Sequence, residues 1–319
     1  MSRNHTRGRH SLPRSLEDPP QRPVNPAQYS DPVKRPLTLQ LVGGLGNQLF
    51  SYYACAAQAA RLNVDLIIDD TWVAHGSSIR LFDLSDASVT TYFQARTKIN
   101  PMRYRATRWL VHRAPALSRL LGYYEAAAPG HDLGVMEVRP GATVRGYFQS
   151  WQQVSEASGS AAPAALRLQQ SSEWLMGMCE KARTERPIGV HVRRGDYRSA
   201  GVFGLVGQPY YRKAIEALRD LGQDGPIWLF TDEPASARDV VPSADLVINA
   251  PSGASEELIL MSHTAGFVTA NSSFSWWGAW LSGSRAVVAP HPWFYRSPEP
   301  QGLIPPWWIR LPASWADTA

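Results

Sequence analysis

The sequence predicts an α/β protein built as two doubly wound, Rossmann-like halves, and three observations carry that prediction. Apolar runs that read as strands alternate with helical stretches across residues 37–289, the order of a parallel sheet with crossover helices. The succession strand, helix, strand occurs once near residue 40 and again after residue 186. At 319 residues, the chain also exceeds what one hydrophobic core usually serves.

The first ordered stretch is "LTLQLVGGLGNQLFSYYACAAQAARLN", read as a strand over 37–42, a turn of Gly43, Gly44 and Gly46, and a helix over 48–61. Such a turn lets the backbone approach a ligand and aims helix N–H groups at an anion. A dinucleotide fingerprint would require glycine at Leu49 and an acid near Asp65, Asp69 or Asp70, so the mismatch counts against a nicotinamide or flavin cofactor. "VDLIIDDTW" completes a βαβ opening. Its Asp69 and Asp70 are read as solvated acids at a strand end or helix cap rather than as metal ligands. Residues 100–125 mix arginines with Trp109, Leu110, Leu117, Leu120 and Leu121, as a basic amphipathic helix would, and Pro115 interrupts any single long helix. A solvent-exposed helix pair is the preferred reading there, with peripheral membrane contact as the alternative. "ATVRGYFQSWQ" follows, then "SSEWLMGMCEKARTE", a helix that closes the first half and sets a boundary near 183.

The second half opens on "RPIGVHVRRGDYRS". Ile188, Gly189, Val190 and Val192 have the character of a buried parallel strand, which places Arg193 and Arg194 at its carboxyl end. Open α/β sheets bind ligands at that end, and a planar guanidinium suits a phosphate. A helix with Pro209 near its start follows, and "PIWLFTDEP" is a strand ending at Thr231, Asp232 and Glu233. Beyond it lie a helix, a strand over 266–269, a polar turn over 271–273, a helix holding Trp276, Trp277 and Trp280, and a strand over 285–289. The tryptophans are read as helix core rather than as a sugar platform. The carboxyl ends of these strands collect His191, Arg193, Arg194, Asp196, Asp232, Asn271, Ser272, Ser273 and Ser275. Two guanidiniums with helix-terminal hydroxyls and amides can hold a diphosphate, and charge-assisted hydrogen bonds of about 1.5–3 kcal/mol each make that feasible without a metal.

Composition bounds the remainder. The net charge of +5 and a pI near 9.3 suit nucleotides or anionic lipids, and nucleic acid is not expected as a partner. Cys55 and Cys179 stand far apart with no His or Cys at ligand spacing, which excludes a disulfide scaffold and a structural zinc site and fits a reducing, cytoplasmic compartment. No run of about 18 apolar residues occurs, and the first residues lack the apolar core of a signal peptide. Residues 1–36 carry seven prolines among polar residues and are read as a disordered, basic, solvated tail. The expected division is therefore 1–36 tail, 37–182 first domain and 183–319 second domain.

Six segments, "GGLGNQLFSYY", "GYFQS", "HVRRGDY", "FTDEP", "ELILMSHTAGFVTANSSFSWWGAWL" and "APHPWF", resemble in order and spacing the family that includes the bacterial α-1,2-fucosyltransferases, glycosyltransferase family 11. The resemblance covers residues 37–294. It implies a GT-B fold, two Rossmann-like domains facing a cleft, with GDP-β-L-fucose bound mainly by the second domain, a galactose-containing glycan as acceptor, and no metal or other cofactor. By motif, Arg193 resembles the arginine on the β-phosphate, with Arg194 as its neighbour and His191 close to the donor. Asn47, with Gly44 and Gly46 in the glycine turn, resembles an asparagine that faces the diphosphate and fucose from the first domain. Asp232 is expected at the guanine, and Asn271, Ser272, Ser273 and Phe274 around the phosphates and base. The general base is left unassigned: Asp196, read as a catalytic residue, and His191 both have suitable chemistry, and both can instead be occupied with orienting an arginine or the donor. Two departures stand out: Glu233 where relatives often carry aspartate, and His263 where cysteine is frequent. A noncatalytic carbohydrate-binding protein is the competing class, but it has no need of "HVRRGD".

Overall fold

The protein is seen in a computed structural model that describes residues 35–70, 73, 84–86, 109, 113–158, 166–168, 170–198, 201–251 and 253–316. In chain order the first half contains β1 (Leu37–Gln40), α1 (Leu45–Leu62), β2 (Leu66–Asp69), β3 (Leu84–Asp86), α2 (Pro115–Leu120), β4 (Tyr123–Glu125), β5 (Thr143–Arg145), α3 (Trp151–Ser158), β6 (Leu166–Leu168) and α4 (Glu173–Glu185). The second contains β7 (Ile188–Val192), α5 (Gln208–Asp220), β8 (Ile227–Thr231), α6 (Pro234–Val240), β9 (Leu246–Ile248), α7 (Ala254–Met261), β10 (Gly266–Val268), α8 (Ser273–Leu281), β11 (Val287–His291) and β12 (Ile309–Pro312).

Two separate parallel sheets result, as the GT-B expectation requires. The four-stranded sheet has the order β2-β1-β5-β4, with Leu39 opposite Ile68 on one side and Val144 on the other. The six-stranded sheet has the order β12-β11-β10-β7-β8-β9. β7 and β8 are buried at all five positions each, the signature of central strands covered on both faces. The even positions of β7, Ile188, Val190 and Val192, pack with Tyr210, Tyr211 and Ala214 of α5. β3 and β6 form a separate antiparallel pair.

Two details differ from the sequence reading. Helix α1 begins at Leu45, so Gly46 and Asn47 belong to its first turn. Asp69 and Asp70 are buried rather than solvated. Gln40 Nε2 donates to Asp69 Oδ2 at 3.1 Å, and Tyr123 OH donates to Gln40 Oε1 at 2.8 Å, a polar link from β2 through β1 to β4. The basic stretch 100–125 is described only at 109 and from 113 onward, where the short helix α2 starts at Pro115. Of the tail assigned to 1–36, residues 1–34 lie outside the described residues. Among the described residues, no helix is long and apolar enough to cross a membrane.

The tryptophans of α8 are core, as read. Trp276 and Trp277 are fully buried against α1: the Phe50 ring centroid lies 4.5 Å from that of Trp276, and Tyr53 stacks on Trp277 at 5.1 Å. Trp277 Nε1 also donates to the carbonyl of Gly46 at 2.8 Å, which ties α8 to the first turn of α1. Trp277→Phe keeps most of the apolar surface and removes this second bond to a carbonyl that keeps its helical partner, so it should cost about 0.5–1.5 kcal/mol, read as a shifted denaturant midpoint at unchanged slope. No shift in midpoint would mean that the indole hydrogen bond does not hold the helices.

Candidate functional site

A strand sends successive side chains to opposite faces, and past β7 that alternation separates the two adjacent arginines. His191 points to the face carrying Phe274, the two ring centroids being 5.7 Å apart. Arg193 follows on the same side. Its Nε donates to Asp196 Oδ1 at 3.0 Å, and its Nη1 pairs with Asp232 Oδ2 at 3.1 Å. The guanidinium is thus fixed between two carboxylates, and it also lies 5.7 Å from the centre of the Tyr197 ring. Arg194 follows the even residues instead. It is buried, and its charge acts on Tyr211 of α5 and on Glu233. No carboxylate pairs with it among the described residues.

Asp232 is fully engaged. Its Oδ1 accepts the Arg194 backbone N–H at 3.0 Å while Oδ2 meets Arg193. A methyl on Gly195 would stand 2.6 Å from that Oδ2, so only glycine permits this approach. Asp196, with its side chain 64 % exposed, serves Arg193 on the outer side.

His191 is buried, and burial together with the nearby Arg193 charge lowers its pKa to about 3, so its imidazole is neutral at physiological pH. Its Nδ1 has no hydrogen-bond partner among the described residues, nor have Arg194 Nε and Asn271 Oδ1. Buried polar atoms are nearly always satisfied, so His191 Nδ1 and Asn271 Oδ1 leave bonding capacity at this sheet end that a ligand or an ordered water can take up.

Two helices begin here without side-chain caps: α1 after the extended Gly44, and α8 after the extended Ser272. The Asn47 N–H donates back to the Gly44 carbonyl at 3.0 Å; the other first-turn N–H groups are available to an anion, and both macrodipoles present positive ends. The two starts touch. A methyl on Gly46 would lie 2.5 Å from the backbone nitrogen of Phe274 and from the carbonyl carbon of Ser273. Gly46 is therefore required for helix contact, whereas Gly44 has nothing within 4 Å and leaves its backbone open. Asn47 is oriented by Gln149, whose Nε2 donates to its Oδ1 at 2.8 Å. Asn271 Nδ2 donates to the carbonyls of Phe203 and Gly204 at 2.9 and 3.2 Å, and Tyr197 OH donates to the Asn271 carbonyl at 3.2 Å. These bonds brace the turn over 271–273.

One group at the site escaped the sequence reading. Glu257, in the first turn of α7, is half-buried, and its side chain makes no hydrogen bond among the described residues. Burial raises its pKa to about 7, with Asp232 adding to the shift and Arg193 opposing it. The adjacent Glu256 turns away and accepts the Ser172 N–H at 3.0 Å. Two neighbouring acids at a helix start, about 100° apart around its axis, were the available signal. Both sequence departures are accommodated away from this cluster. Glu233 makes a bidentate pair with Arg198, 3.0 Å for each contact, and His263 rests against the Ile259 carbonyl at 2.9 Å and Cys179 at 3.7 Å.

The structure therefore brings together His191, Arg193, Asp196, Asp232, Phe274 and the turn over 271–273, with Gly46 and Asn47 joined to them through the contact of α1 with α8. It sets Arg194 apart.

Comparison with known proteins follows the same outline. The model of glycosyl transferase family 11 matches residues 144–300. The O-antigen biosynthesis glycosyltransferase WbnK of Escherichia coli is 26% identical over 286 residues, which cover 80% of this chain and 93% of that protein. An alpha-1,2-colitosyltransferase of Escherichia coli is 25% identical over 276 residues, covering 81% and 92%. Among solved structures, the fucosyltransferase NodZ from Bradyrhizobium superposes with a TM-score of 0.45 at 15% identity, over 77% of this chain and 92% of that one. Residues 144–300, which carry the arginine strand, the braced turn and the tryptophan helix, match the model of glycosyl transferase family 11, the family that the sequence motifs resemble.

Proposed function

We propose that the protein is an inverting glycosyltransferase that moves L-fucose from GDP-β-L-fucose to a hydroxyl of a galactoside, forming an α-1,2 linkage, in the synthesis of a surface glycan. The observation that carries this reading is Arg193, clamped between Asp196 and Asp232 beside two uncapped helix starts. The match of residues 144–300 to the family 11 model and the names of the two Escherichia coli relatives support it. The half over 183–319 holds the donor, and the half over 37–182 presents the acceptor.

In this reading Arg193 and the N–H groups at the starts of α1 and α8 take up the charge that grows on the β-phosphate as GDP leaves, and no metal is required. Preorganised donors of this kind are worth about 3–4 kcal/mol per essential group. Because the carboxylates fix the guanidinium beforehand, it needs no reorganisation during the reaction. The acceptor hydroxyl attacks the anomeric carbon from the side opposite GDP, through an oxocarbenium-like transition state. His191, with its pKa near 3, cannot hold the proton released at neutral pH, so its role is contact with the donor rather than general base.

With Asp232 occupied by Arg193 and the Arg194 N–H, the guanine falls to Glu257, whose carboxylate can accept two base N–H groups. The pH dependence has a definite sign. A carboxyl whose pKa rises from 4.5 to about 7 on folding favours the protonated native state, so its contribution to stability is lost as pH climbs through that window. GDP requires the ionised form, so its affinity should fall roughly tenfold per pH unit below about 7. Calorimetry of GDP binding from pH 5.5 to 8.5 checks this. Glu257→Gln should flatten the profile, and an unchanged profile in that variant would remove Glu257 from the base site.

The experiment for the function is incubation with GDP-fucose in EDTA against a panel of β-galactosides, following GDP release and product mass, with NMR for the linkage. A parallel arm with GDP-colitose, which lacks the 3-hydroxyl of fucose, decides between the two donors. Transfer of one deoxyhexose from GDP-fucose is expected. Failure to bind or turn over any GDP-sugar would overturn the reading.

A further inference from the structure

At the far end of the first sheet, a second basic feature has no part in the transfer reaction. A cavity of about 520 Å³ opens between α2, the amino ends of β4 and β5, and the segment over 134–142. Arg35, Arg119 and Arg139 line it with Tyr123 and Tyr124, and Glu137 is the one acid in its wall. None of these arginines forms an ion pair among the described residues, so the cavity carries an excess of two positive charges. Arg119 lies 5.0 Å from the centre of the Tyr124 ring, which holds its guanidinium at the opening. Apolar side chains border the charge: Leu120 and Leu121, which also line the cavity, are 79% and 67% exposed, and Leu117 is 46% exposed. Exposed leucines beside unpaired arginines cost solvation on one hand and forgo pairing on the other, and an anionic amphiphile would answer both.

We propose that this cavity is a membrane-docking site that seats the phosphate headgroup of an anionic phospholipid, with Leu117, Leu120 and Leu121 entering the interface beside it. β4 and β5 run parallel to β1, whose carboxyl end leads into the α1 start that touches α8, so their amino ends lie away from that contact, and the lipid and the nucleotide-sugar occupy separate faces. The juxtaposition, not the net charge of the chain, selects the ligand. A soluble acidic protein would satisfy the arginines and leave the leucines in water, whereas a lipid satisfies both.

The test is co-sedimentation of the full chain with vesicles of phosphatidylcholine alone or mixed with phosphatidylglycerol. Retention on the anionic vesicles only is expected. Arg119→Ala combined with Arg139→Ala should weaken it roughly 30-fold, each arginine near an anionic surface contributing about fivefold. Leu120→Asp should abolish it. These positions are exposed, so GDP binding should be unchanged in every variant, which separates lost docking from lost folding. Undiminished retention of the double-arginine variant, or binding of soluble glycerophosphate without vesicle retention, would overturn the proposal. The first outcome would place docking on another surface, and the second would leave an anion site that does not touch a membrane.

Discussion

Arg193→Ala is expected to lower kcat for sugar transfer by about 100- to 1000-fold, the loss of one preorganised group facing the leaving diphosphate. The fold should survive it. Arg193 is partly exposed, Asp196 is mostly in water, and Asp232 retains the Arg194 N–H as a partner when the guanidinium is removed. Arg193→Lys separates charge from geometry. An ammonium can neutralise the phosphate but cannot span Asp196 and Asp232 as a planar fork does, so an intermediate rate is expected. Steady-state rates of GDP release, with GDP affinity measured alongside, distinguish a loss of transition-state stabilisation from a loss of binding. An alanine variant with normal kcat would sink the assignment of Arg193 to the leaving group.

Gly46→Ala carries the second large effect, and it acts through packing. The new methyl would meet the Phe274 nitrogen and the Ser273 carbonyl carbon at 2.5 Å, and both are backbone atoms that cannot rotate away. Helices α1 and α8 must part, at a cost of about 3 kcal/mol by the usual scale of overpacking. The same movement strains the Trp277 to Gly46 hydrogen bond and separates the two helix starts that face the diphosphate, so donor affinity should fall together with stability. Gly44→Ala is the control. With nothing within 4 Å of its Cβ, it should change stability by less than about 0.5 kcal/mol. Denaturant midpoints of the two variants, measured side by side, check the contrast, and equal stability would show that the α1–α8 contact tolerates a side chain.

The extent to which the sequence disclosed this molecule depends on the range of the interactions concerned. β7 and β8 were legible because strands buried on both faces read as unbroken apolar runs, and the helix at 208–220 because Pro209 marks its start. Asp69 was misread for the opposite reason. Nothing near it in the chain announces burial, and its link to Gln40 and Tyr123 is made by strand pairing across 29 and 83 residues. The divergence of Arg193 from Arg194 was within reach, since it follows from the two-residue period that buries Val190 and Val192 on α5. Gly46 was recognised as special, but for phosphate approach; that a second backbone occupies the space where its side chain would stand is a fact of tertiary contact. Glu257 lay hidden in an ordinary amphipathic run, where only the fold distinguishes the acid that reaches Ser172 from the acid that faces Arg193.

The most direct measurement of the central claim is a crystal structure of the protein with GDP. The account predicts the β-phosphate on Arg193, between the starts of α1 and α8, with the base against Phe274 and within hydrogen-bonding distance of Glu257. A diphosphate seated on the Arg194 side of the sheet, or in the cavity of Arg35, Arg119 and Arg139, would contradict it.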